Sequence, residues 1–197
     1  MTKVGLDKAV TSVSLVSAFT RMTITVTRTD WGAVNHARVK KMHRFWEEVR
    51  GDLPAPTRKM IDPLKIGWAL GHLSLIDVMD NGDFRFRLTA SDVTFKVGYE
   101  FMGLERSRVP VPAVGDILRR CLVPTAEAVE PMAHSISVTL SAAGTQHAQT
   151  HFLIAAFPLI SSGDAVDGFA VITDLPRNFR EIADGIAEAM NAISVDE

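Results

Sequence analysis

Six histidines, one cysteine and a few spaced arginines are the residues of this chain whose types and spacing bear on chemistry. The histidines are His36, His43, His72, His134, His147 and His151. None stands in a His-Glu-x-x-His pattern, the spacing that sets two zinc ligands on one helical face. His147 and His151 are four apart in strand-like sequence. At roughly 3.3 Å per residue that puts them about 13 Å apart on one face, too far to share one metal ion. No metal is expected. Cys121 is the only cysteine, which excludes an internal disulfide and a cysteine metal cluster. It lies in the helix-like stretch Asp116–Leu122, where a buried free thiol acts as a small hydrophobe. There is no Gly-x-Ser-x-Gly elbow, no Walker loop and no Gly-x-Gly-x-x-Gly turn. Asp62, Asp77 and Asp116 read first as cap, turn or solvated carboxylates, so no catalytic residue is assigned and the chain is not expected to be an enzyme.

The arginines say more. Arg58 and Asp62 flank one helix entrance, as an ion pair or cap network would require. Arg85 and Arg87 alternate with apolar residues and so share the outward face of a strand. Such a face is either simply solvated or an anion-recognising edge, since planar guanidinium forks suit oxyanions.

Composition bounds the partners. Lys+Arg 21 against Asp+Glu 23 leaves a net charge of -2, which argues against nucleic acid as a partner. Hydrophobic content of 47% with 22% charged residues describes a globular chain rather than a disordered one. No apolar run reaches membrane-spanning length, so no membrane segment is expected. The first twenty residues loosely imitate a signal peptide, but Ser and Thr dilute the apolar part and no cleavage site follows. With a single cysteine, this favours a cytoplasmic protein.

The elements that must position these residues follow from periodicity. Residues 1–33 read as a leader without the pattern of a packed element, although Thr23–Thr27 alternates as a short strand would. Val39, Met42, Phe45, Trp46 and Val49 recur at helical spacing and stop at Gly51. Asp62-Pro63 reads as a cap and first residue of a short helix over 64–70. Strands are expected at 72–78 and 84–88 around the Asp80-Asn81-Gly82-Asp83 turn, then at 135–140, 149–157 and 168–173. Small helices fall between, with one from 113 to 122 ended by Pro124. An amphipathic helix over 177–197 closes the chain. The domain proper then spans 34–176. Its class is α+β, a five-stranded antiparallel sheet with small helices on one face of a single interior, flanked by N- and C-terminal amphipathic helices.

That order and several motifs resemble a branch of the PAS domain family widespread in alphaproteobacteria. The motifs are Phe45-Trp46, Pro54 to Arg58, Ile61-Asp62-Pro63, Phe84-Arg85-Phe86-Arg87-Leu88, Gly98 and Gly103, and Phe152 to Leu159 with Gly163. The match covers about residues 37 to 173. Thr89-Ala90-Ser91 departs from it, standing where the family continues with a small residue and glycine.

The resemblance implies a sensory or regulatory protein without one fixed ligand. A haem-binding member needs an axial histidine on the 113–122 helix, which has none. A flavin-binding photosensor needs an Asn-Cys-Arg-type motif, which Cys121 lacks. No cofactor is therefore expected. Pocket candidates between sheet and small helices are His72, Leu73, Leu75, Phe86, Leu88, Phe95, Tyr99, Leu118 and Ile154, with Tyr99 as the polar contact. Phe45, Trp46 and Val49 are the candidate interface for a homodimer or a signalling partner. Two readings stay open: a small-molecule sensor, and a ligand-free interaction module. An enclosed cavity of roughly 300 Å³ or more favours the first, and a filled core the second.

Overall fold

The computed structural model describes residues 10–11, 21–142, 145–177 and 179–180. Its centre is one antiparallel sheet. The strands are β1 (Val10–Thr11), β2 (Arg21–Thr29), β3 (Leu73–Val78), β4 (Phe84–Leu88), β5 (Met132–Ala142), β6 (Thr145–Leu159) and β7 (Gly168–Asp174). Their order across the sheet is β1-β2-β5-β6-β7-β3-β4. The α+β class and the antiparallel sheet agree with the sequence reading, but the described residues form seven strands rather than five. The addition comes from the leader, where β2 pairs with β5 from Arg21↔Ser141 to Thr29↔Ala133.

Among the described residues three α-helices cover the sheet: α1 (Ala37–Arg50), α2 (Ser91–Val97) and α3 (Pro112–Ala128). His36 caps α1, its Nδ1 accepting the Val39 amide at 3.3 Å. Gly98 ends α2 in the left-handed region with φ 80, its amide donating to the Thr94 carbonyl at 2.8 Å. The helix expected to end near Pro124 runs through it to Ala128. The short helix expected over 64–70 does not form. Asp62 still caps a turn, accepting the Leu64 amide at 2.9 Å, but the chain makes successive turns with Gly67 among them. The turn Asp80–Asp83 closes the β3–β4 hairpin as expected, with Gly82 at φ 75.

Both faces of the sheet are buried, so the single interior expected from sequence is corrected to two. On one face α1 packs Val39, Met42 and Trp46 against Leu73, Phe157, Leu159 and Ile172. Ala133, Ala155 and Ala170 lie in the same layer, and their small side chains let the helix approach. On the other face α2 and α3 pack on Ile76, Phe86, Ile154 and Val171. Consecutive residues of β6 and β7 thus alternate between two cores. Of the expected closing helix over 177–197, only Phe179 and Arg180 among the helical residues are described; Ile182, Ala183, Ile186, Ala187 and Met190 lie outside the described residues. The Ala143-Gly144 turn and the His147 side chain lie outside them too.

Candidate functional site: an apolar cavity and an arginine cluster

Among the described residues, a partly enclosed apolar cavity lies between the sheet and its small helices. Ser74, Ile76, Phe86, Ile154, Val171 and Thr173 project from the sheet toward Val93 and Val97 of α2 and Val114, Ile117 and Leu118 of α3. Phe101, Phe152, Leu175 and Phe179 complete the wall. The cavity holds about 60 Å³. A second void of about 20 Å³ adjoins it and shares Val97, Val114, Ile117 and Phe179. Pockets that enclose drug-sized ligands run from about 300 to 1,000 Å³. The larger void has the volume of about two waters, but a buried water needs two to four polar partners. Only Ser74 and Thr173 are polar among its walls, and the Ser74 hydroxyl already accepts the Ala90 amide at 3.0 Å.

The expected pocket residues divide. Phe86, Leu118 and Ile154 line the cavity. Leu73 and Leu75 do not; strand alternation turns them to the opposite face, against the α1 layer. Leu88 is half-buried and outside the wall. Phe95 is 78% exposed on α2, and Tyr99, the expected polar contact, is 48% exposed with its ring 6.5 Å from that of Phe101. His72 sits in a 3-10 turn, with its Nδ1 3.4 Å from the Asp92 carboxylate that Lys96 also meets at 2.8 Å. Ser74, Ile76, Val171 and Thr173 escaped the sequence reading. Their signal was parity: each is one residue off the leucines chosen on β3, or alternates on β7.

The expected interface is corrected as well. Trp46 is 1% exposed and donates its indole N–H to the Pro158 carbonyl at 2.9 Å. Phe45 and Val49 are half-buried. The outer face of α1 is polar, with Lys40, Lys41, Arg44, Glu47 and Glu48 exposed.

On the α1 side of the sheet, beyond the helix, the arginines meet. Asp77 of β3 is the centre. Arg58 pairs with its Oδ1, not with Asp62 as expected. Arg85 and Arg87 of β4 stand with a guanidinium nitrogen each 3.8 Å from its Oδ2. Arg58 reaches Asp77 by lying across Gly168 of β7, the residue paired with Asp77 in the ladder. Pro63 remains in its turn with no part in the cluster.

A larger cleft of about 600 Å³ opens beside the start of α1, lined by His36, Lys96, His151 and Asp174 among others. Three of its polar side chains are engaged: His36 Nε2 meets Asp174 at 3.2 Å, and Lys96 donates to the Leu175 carbonyl at 2.6 Å. Among the described residues no three His, Cys, Asp or Glu side chains converge as metal ligands. Burial raises the Cys121 thiol well above its ordinary value, which leaves it protonated and inert. Burial also pushes His134 down to about 4, helped by the nearby charge of Arg28. No helix of the described residues is long and apolar enough to cross a membrane.

No match was found among curated proteins or among solved structures. A family model described as a PAS domain matches residues 34–170, more than two thirds of the 197-residue chain. The matched segment runs from the residues before α1, through the cavity walls and the Asp77 cluster, into β7. The chain therefore belongs to the PAS domain family.

Proposed function

We propose that this protein is a cytoplasmic regulatory PAS module that acts through contacts with a protein partner and carries no resident cofactor. The observation that supports this most is the size of the cavity. At about 60 Å³ with an apolar wall, it has no room for a haem, a flavin or a drug-sized metabolite. The same wall holds no titratable side chain that could activate its two hydroxyls, Ser74 and Thr173, which supports a non-enzymatic role. A homodimer through the apolar side of α1 finds no support, because Trp46 is spent on the sheet. The partner contact belongs on another surface.

A second reading, sensing of a small apolar molecule, has one specific support. The two voids share four walls, and Phe179, one of the four, stands where the chain enters its C-terminal segment. Small apolar guests do enter dry cavities in proteins. Native mass spectrometry of protein purified from its own host separates the two. The mass of the bare chain is the expected result. A stoichiometric small-molecule adduct overturns the first reading in favour of the second.

A further inference from the structure

We propose that Arg85 and Arg87, arranged around Asp77, form a binding site for a phosphoryl group on the outer face of the sheet. Charge sets the case. Arg58, Arg85 and Arg87 surround one carboxylate, Asp77. Two neighbouring carboxylates have cationic partners of their own. Asp83 pairs with Arg106 at 2.7 Å and Glu105 with Arg108 at 3.9 Å. Asp167 accepts the amides of Ser161 and Ser162. Within the cluster itself, three cations against one anion leave an excess of two positive charges. A phosphate monoester carries about −1.5 to −2 at neutral pH and so matches that excess, whereas one carboxylate leaves it half-balanced.

Geometry agrees. Arg58 is committed to Asp77 Oδ1 and holds that carboxylate in place. The other two forks, at 3.8 Å from Oδ2, are beyond hydrogen-bonding distance. Among the described residues they make no closer ion pair, and their side chains are 50% and 59% exposed. Alternation on β4 sets them on the same face, about 7 Å apart along the strand. Both converge on one oxygen, so Asp77 gathers them without using their donors. Bidentate guanidinium forks suit a phosphoryl oxygen pair. The site lies on the opposite face of the sheet from the cavity and does not depend on it.

The test is a titration of the full chain with sodium phosphate at constant ionic strength, read by NMR at the arginine Nε–Hε resonances. Saturable shifts of the Arg85 and Arg87 signals, and of the backbone amides of β4, are expected; in the Arg85→Gln/Arg87→Gln protein, which lacks those two side-chain signals, the β4 amide shifts should need at least tenfold more phosphate. A parallel titration with a phosphoserine peptide distinguishes the sources. Binding at least tenfold tighter than inorganic phosphate supports the site with a phosphorylated partner; equal affinity supports it with a free anion. Both side chains are half-exposed, and Arg87→Gln alone provides a milder variant if the double one loses its fold. Shifts that never saturate, or that persist unchanged in the variants, overturn the proposal.

Discussion

The guanidinium of Arg58 lies where a side chain on Gly168 would begin: a Cβ built at residue 168 comes 2.7 Å from Arg58 Nη2 and 3.1 Å from the Ile76 carbonyl oxygen. Glycine is needed here for close approach, not for an unusual backbone angle. We expect Gly168→Ala to displace Arg58 from Asp77 and to destabilise the fold by about 1–3 kcal/mol, as overpacking does. Urea denaturation measures this. Unchanged stability would show that the strand yields without loss and that Arg58 has another resting place.

Trp46 fills the interface between α1 and the sheet. Trp46→Ala is expected to cost about 3–5 kcal/mol, the range for a deleted core aromatic. The lost indole bond to Pro158 adds to it. Denaturation and sedimentation should be read together. A protein of unaltered stability that loses self-association would return Trp46 to an intermolecular role.

His134 makes the fold sensitive to acid. It is 3% exposed, and its Nδ1 has no partner. Burial holds its folded pKa down at about 4, against about 6.5 in the unfolded chain. Between these values the unfolded state binds the proton and the folded state does not, so stability rises with pH across that window. It is fully present above 6.5 and is lost as pH falls toward 4. From pH 7 to pH 5 the loss from this residue is about 2 kcal/mol. Denaturation of the wild type and of His134→Leu at both pH values checks it. An equal acid effect in both proteins would assign the sensitivity elsewhere.

The cavity gives a prediction of opposite sign. Val171 is almost fully buried and lines the void. Val171→Ile adds one methylene toward that space, and is expected to raise stability by up to about 0.8 kcal/mol. A thermal melt reads the change. A loss greater than 1 kcal/mol, the usual result of overpacking, would show that the space is already filled.

Much of this architecture was legible because alternation and helical spacing report burial. β4, β5 and β7 and helix α1 fell where their periods placed them. What periodicity does not report is which buried face a residue joins. Leu73, Leu75 and Ile76 are all apolar, and β3 is covered on both sides, so Leu73 and Leu75, expected at the cavity, belong to the other layer. Trp46 failed for the converse reason. An amphipathic helix has one apolar side, and here the sheet takes it before any partner does. Phe95 offers a pocket an apolar ring and Tyr99 a hydroxyl, but residue type carries no information about the direction either faces. The Asp77 cluster was half visible: Arg85 and Arg87 shared a face by spacing. Arg58 joins them from a loop across β7, and that contact depends on the sheet order, which no local pattern encodes.

The two-sided sheet carries a constraint on how this gene can vary. Ile154 and Val171 belong to the cavity layer, while their chain neighbours Ala155 and Ile172 lie beneath α1. Losing or gaining one codon within β6 or β7 would exchange the occupants of the two layers, pushing bulky side chains under the close-packed helix and alanines into the void. Length changes are therefore confined to the connecting turns, and the strands can evolve by substitution alone.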